Sequence, residues 1–170
     1  MKNTIKSIAI AMLAIVSANG AFAQSSASAS ANANAKIFTP ITLTNTADMY
    51  FGNNVPSGAS GTVVLTPAGA ASATGGVTHL SGGTVSAAAF TVTGEPSTAY
   101  TITLPSSATT LTSGSNTMTV SSWSSYPSGT STLSSAGTEA LTVGATLAVG
   151  ASQAPGTYVS GTPFNITVNY

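Results

Sequence analysis

The sequence predicts an all-β fold, an antiparallel immunoglobulin-like β-sandwich of about nine strands. After the first two dozen or so residues, apolar side chains recur with period two and no helical period is sustained. The alternating runs are separated by Gly, Pro, Asn and Ser, which favour turns. Many runs are rich in threonine and valine, which suit half-buried strands. Short strands at this spacing are typical of two packed sheets.

The first element is an export signal. Lys2 and Lys6 precede the apolar run at residues 8–16, and Ala21-Phe22-Ala23 supplies a small-x-small cleavage pattern. The run is too short to span a bilayer as a helix, although an uncleaved membrane anchor is the alternative. We therefore predict a signal peptide over residues 1–23, export through the inner membrane, transit through the periplasm and a final location at the cell surface.

Residues 24–36 form an Ala/Ser/Asn leader in which small apolar and polar side chains alternate. The leader is either a low-complexity spacer or a donor strand for the sheet of another molecule. Five buried alanine methyls contribute only about 4 kcal/mol, whereas ordering the backbone costs on the order of 1–2 kcal/mol per residue. The leader therefore needs a sheet edge to become a strand. The candidate donor residues share one parity: Ala27, Ala29, Ala31, Ala33, Ala35 and Ile37.

Residues 37–170 are predicted to form a single β-sandwich domain. Its strand candidates are KIFTPITLTNT, ADMYFG, GTVVLTP, VTHL, AAFTVTG, AYTITLP, TMTVSSW, EALTVGATLAVGA and PFNITVNY. Turns are expected between them, including at Gly52-Asn53-Asn54, 56–58, Gly75-Gly76 and Gly82-Gly83. In the last run, alternate positions carry Phe164, Ile166, Val168 and Tyr170.

Charge and catalytic side chains are scarce. After residue 23 the charged residues are Lys36, Asp48, Glu95 and Glu139, so no basic patch exists for nucleic acid or an anionic membrane. His79 is the sole histidine, there is no cysteine, and no serine lies in a Gly-x-Ser-x-Gly motif. We expect no catalytic residue, no metal and no cofactor, and therefore a protein that is not an enzyme.

Trp123 and Tyr126, in SSWSSYPSG, are weak candidates for stacking against a glycan. Packing of Trp123 in the core or at its rim is the favoured interpretation.

Three blocks and the end of the chain carry a resemblance to a known family. They are TADMYFG at 46–52, FTVTGEPSTAYTITLP at 90–105, LTVGATLAVGASQAPGTY at 141–158, and the closing ITVNY. Together they resemble the bacterial domain-of-unknown-function family numbered 4402. More distantly, Phe51-Gly52 and Tyr170 are similar to features of spore-coat-U-type pilins of archaic chaperone–usher systems. Those pilins often carry a disulfide, which this chain cannot form.

The resemblance implies an exported fimbrial subunit whose partners are a periplasmic chaperone, an outer-membrane usher and copies of itself in a head-to-tail fibre. Residues Phe164, Ile166, Val168 and Tyr170 are then candidates for a strand held by the chaperone, although they equally fit an ordinary last strand. We therefore expect a fimbria or pilus subunit that assembles by β-strand donation, without stable membrane insertion or nucleic-acid binding.

Three other functions compete with the fibre subunit. The first is a carbohydrate-binding or adhesive envelope module, which shares the fold. The second is an outer-membrane β-barrel, which the final aromatic residue favours but the few aromatics and charges disfavour. The third is an independent envelope protein of another function, since fold alone does not separate these classes.

Overall fold

The structure is a computed structural model that describes residues 26–170. The predicted signal peptide lies outside the described residues. The chain divides into two units, Met1–Lys36 and Ile37–Tyr170. No helix occurs in residues 26–170, and hence none long and apolar enough to cross a bilayer.

The second unit is built of antiparallel strands. The all-β fold class that the sequence predicts is therefore confirmed. Its eleven strands within the described residues are β1 (Thr42–Ala47), β2 (Tyr50–Leu65), β3 (Ala71–Ser86), β4 (Ala88–Thr93), β5 (Ala99–Thr103), β6 (Thr109–Ser113), β7 (Asn116–Tyr126), β8 (Thr130–Thr132), β9 (Thr138–Val149), β10 (Val159–Ser160) and β11 (Thr167–Asn169). The prediction of about nine strands missed β6, β8 and β10.

The strands form a larger and a smaller sheet. The larger sheet has the order β1-β4-β9-β7-β6-β10, and β2 pairs with β9 as well as with β3. The smaller sheet has the order β11-β5-β8. Strand β9 is central because its first half pairs with β4, its second half pairs with β2, and its other edge pairs with β7.

Strand β9 also organises the hydrophobic core. The sequence places apolar residues at alternate positions of this strand, and each of them is at most 4% exposed: Leu141, Val143, Ala145, Leu147 and Val149. One core cluster joins the first half of β9 to β4, β5 and β11 of the two sheets. A second cluster joins its second half to β2, β3 and β7. Met49 and Trp123 pack against both clusters.

Several predicted turns are wrong, because they lie inside the long strands β2 and β3. Residues 57–60 of β2 bulge opposite Gly76, since Pro56 pairs with Val77 and Gly61 pairs with Gly75. A Cβ added to Gly76 would collide with the carbonyl oxygen of Ala59. Glycine is thus required at this position because two strands approach each other closely. Glycine therefore marks close strand contacts in this domain as well as turns.

Candidate functional site

The two sheets leave neighbouring edges open on one side of the sandwich. Strand β1 is the outer strand of the larger sheet and pairs only with β4, while β11 is the outer strand of the smaller sheet and pairs only with β5. The two outer strands contact each other. This strip between β1 and β11 is named the seam below. Within the described residues, each of its strands has one unpaired backbone edge, which is the feature needed for strand addition.

Apolar side chains at the seam are only partly covered. Ile41, just before β1, and Leu43, within it, are half-buried and pack against the first core cluster. Ile166, which precedes β11, does the same. Val168 within β11 is already buried by the domain itself. A strand laid along this edge would cover apolar surface that the domain itself leaves accessible.

The candidate chaperone-held residues lie in and beside β11, and the Phe164 ring contacts that of Trp123 on β7. Phe164, Ile166 and Val168 point into the first core cluster, whereas Tyr170 is 46% exposed and uses its hydroxyl in hydrogen bonds. The strand itself is shorter than predicted, covering only Thr167–Asn169. Continuing its register would place Asn165 opposite Pro105, which has no N–H to donate, and this ends the ladder. Whether a chaperone holds these residues stays a prediction.

The leader residues that the structure describes form no strand in this chain. Residues 26–36 have no regular secondary structure and all their side chains are exposed. The candidate donor alanines alternate in the sequence but pair with no strand: Ala27, Ala29, Ala31, Ala33 and Ala35. Ile37, the last candidate donor, belongs to the second unit and is 92% exposed. The donor role of these residues stays a prediction.

The two glycan-stacking candidates lie on opposite faces of the larger sheet. Trp123 is half-buried, with its ring centroid 4.5 Å from that of Phe164 and its indole N–H donating to the Ser107 carbonyl oxygen at 3.2 Å. Tyr126 pairs with Thr142, which faces away from the core, and is 75% exposed. They do not form one aromatic platform.

His79 and the carboxylates hold separate positions. The His79 Nδ1 lies 2.9 Å from Asn54 Oδ1, beside the bulge at Gly52. Glu139 accepts hydrogen bonds from the Tyr100 hydroxyl at 2.8 Å and the Ser131 hydroxyl at 3.0 Å. In the described part of the chain, no three His, Cys, Asp or Glu side chains are grouped to hold a metal ion.

Sequence reasoning missed the two acids that organise local structure. Burial, followed by the hydrogen bond and negative charge of Glu139, raises the pKa of Tyr100 far above its usual value. Glu95 accepts hydrogen bonds from the N–H and the hydroxyl of Thr39, both at 3.1 Å. The scarcity of charged residues after the leader was the sequence signal that could have identified these two glutamates.

Taken together, these features define a class of protein: an all-β sandwich with an open, partly apolar edge. Residues 41–170 match the family DUF4402, described as a domain of unknown function. The chain belongs to this family. No curated protein and no solved structure matches it.

Proposed function

We propose that this protein is an exported structural subunit of a surface fimbria or pilus, in which the leader of one copy is donated to the seam of the next. The observation that carries this proposal is the seam itself, where two sheets present unpaired edges above half-buried apolar side chains. The leader offers the matching chemistry, because its uncharged residues alternate alanine with serine or asparagine. A contact that joins two different surfaces of the same chain propagates into an open fibre.

The energetics favour an edge with partly covered apolar groups. The alanine methyls contribute about 4 kcal/mol, and each ladder hydrogen bond adds about 0.5–1.5 kcal/mol net. These terms must exceed a backbone ordering cost on the order of 1–2 kcal/mol per residue. Apolar area newly covered on the acceptor, at Leu43 and Ile166, supplies a further gain. Small methyls suit a shallow strip, because larger side chains would need pockets.

The same seam is the place for a periplasmic chaperone before assembly. A chaperone strand along β11 would cover the edge until an outer-membrane usher exchanges it for the next leader. The resemblance of Phe51-Gly52 and Tyr170 to spore-coat-U-type pilins is itself part of this proposal, and it implies these two partners and a route through the periplasm to the surface. The signal peptide expected at residues 1–23 and the non-enzymatic role form part of the same proposal.

The parity of the leader gives a sharp test. Ala29→Asp with Ala31→Asp places two carboxylates on the face that would meet the seam, whereas Ser28→Asp with Ser30→Asp places the same charge on the opposite face. We expect the alanine pair to abolish fibres and the serine pair to keep them, as measured by sedimentation and electron microscopy. Equal behaviour of the two pairs, or fibres from a chain lacking residues 24–35, contradicts strand donation.

A second function is favoured by a groove of about 660 Å³ between the segments that connect β5 to β6 and β10 to β11. Its lining is uncharged and rich in hydroxyls, with Leu104 and Phe164 among its apolar groups. These groups suit a neutral oligosaccharide. The test is binding of cello- or chito-oligosaccharides. An adhesive module is supported if the unmodified protein binds them, Thr162→Arg abolishes the binding and Thr93→Arg on the larger sheet leaves it intact. If the unmodified protein does not bind them, the adhesive function is excluded.

A further inference from the structure

The chain joins the domain through Thr39, and every polar group of this residue is bonded. Its N–H and its hydroxyl both donate to Glu95 Oε2 at 3.1 Å. Its carbonyl oxygen accepts from the Tyr170 hydroxyl at 2.8 Å. Glu95 and Tyr170 lie 56 and 131 positions from Thr39 in the sequence. Both therefore hold a residue that lies three positions before β1.

The two holding residues also hold each other. The Tyr170 hydroxyl accepts a hydrogen bond from the backbone N–H of Glu95. A Cβ on the preceding residue, Gly94, would collide with that hydroxyl, so glycine leaves the space in which Tyr170 sits. The Tyr170 ring meets the edge of Phe38, with ring centroids 6.0 Å apart and planes at 87°.

We infer that Thr39, Glu95 and Tyr170 form a clamp that fixes the point at which the leader is attached, at the end of the seam. Tyr170 follows β11 and Thr39 precedes β1, so the clamp also ties the two open strands together. Glu95 and Tyr170 are positioning residues, since they act through Thr39. The clamp itself needs no partner molecule.

The value of the clamp in assembly rests on the proposed function. A leader held in a neighbouring subunit transmits any pull on the fibre to residues 37–39 of its own domain. Hydrogen bonds from both backbone groups and the side chain of Thr39 would carry that pull into β11 and the turn after β4. Without them, the pull would peel β1 away from β4, because β1 pairs on one edge only.

Trypsin tests the clamp directly, because Lys36 is the last lysine or arginine in the sequence. Cleavage after Lys36 requires the following residues to detach and fit the protease, and its rate follows the population of the opened state. We expect Tyr170→Phe, which removes two hydrogen bonds and keeps the ring, to be cut roughly tenfold faster than the unmodified chain. Glu95→Gln, which removes the charge alone, should be cut roughly threefold faster.

The control is Tyr126→Phe, which removes an exposed hydroxyl on the larger sheet and should leave the rate unchanged. Chymotrypsin cleavage after the buried Tyr100 measures global opening and should not change in Glu95→Gln. The monomer fraction from size exclusion is used throughout, so the result is independent of whether fibres form. Unchanged cleavage after Lys36 in both clamp variants, or an equal rise in chymotrypsin cleavage, overturns the clamp.

Discussion

Tyr100 should make the domain lose stability in alkali. Its side chain is 2% exposed, and its hydroxyl donates to Glu139 at 2.8 Å. Burial, with the hydrogen bond and charge of Glu139 added, keeps the pKa of this tyrosine well above the ordinary value near 10. The folded chain therefore retains a proton that the unfolded chain releases once the pH exceeds about 10.

The sign and size of the effect follow from proton linkage. The contribution of the raised pKa is fully present below about pH 10 and is lost as the pH rises above it, by at most about 1.4 kcal/mol per pH unit. Residues 37–170 contain no lysine, arginine or cysteine, so the side chains of the domain that ionise in this range are tyrosines, and Tyr100→Phe removes the contribution of one of them.

The assay is urea unfolding at about pH 9, 10 and 11 for the unmodified chain, Tyr100→Phe and Tyr126→Phe. Tyr100→Phe should cost about 1.5–3 kcal/mol at neutral pH, because Glu139 loses a donor. It should also flatten the alkaline slope by about 1 kcal/mol per pH unit, and Tyr126→Phe, which removes the hydroxyl of a 75% exposed side chain, is the matched control for stability. The reasoning fails if Tyr100→Phe and the unmodified chain lose stability with the same slope.

Three further predictions follow. Leu147→Ala should lower the free energy of unfolding by about 2–5 kcal/mol, against under about 0.5 for exposed Thr119→Ala; similar losses in a urea titration would contradict the assigned core. Gly76→Ala should lower the melting temperature because its Cβ meets the Ala59 carbonyl, while Gly58→Ala, with no atom within 4 Å, should not; equal melting would refute the bulge. Under the proposed function, trypsin should break fibres at Lys36, because the cut frees each donated leader from its own domain; fibres that persist after complete cleavage would exclude that link.

Most of the strands were predictable because alternation records burial directly. In β9, every second residue from Leu141 to Val149 is apolar, and each is buried against a neighbouring strand. Strands β8 and β10 were missed for a physical reason, since they contain three and two residues and too few apolar groups to show a period. Strand β6 alternates only around Leu111, which is half-buried.

Glycine misled the turn predictions because the residue serves two purposes. Gly52, Gly75 and Gly82 all have positive φ, as in a turn, but they lie at irregularities within β2 and β3. Local sequence shows that the chain must bend or approach another strand at these residues. It does not show whether the chain reverses there, because that depends on pairing partners tens of residues away.

The site was harder to predict than the fold, since it depends on edges and on long-range register. That Phe164, Ile166 and Val168 share a face was readable from their spacing. That β11 has a single neighbour, and that this open edge lies beside β1, depends on the order of strands in two sheets. The bonds of Tyr170 to Thr39 and Glu95 join segments that no local pattern connects.

The lack of charge in this domain makes the open edges informative. Proteins commonly protect edge strands with lysine, with proline, with bulges or by shortening them. Lysine is absent from residues 37–170, and the edges at β8, β10 and β11 are short. The long edge at β3 is interrupted by the irregularities at its glycines. Strand β1 contains no lysine, proline or bulge from Thr42 to Asn45, where it pairs regularly with β4, and its irregularity comes only between Asn45 and Ala47. An edge so exposed at the seam, in a domain that protects its others, is what a strand from a second copy would require.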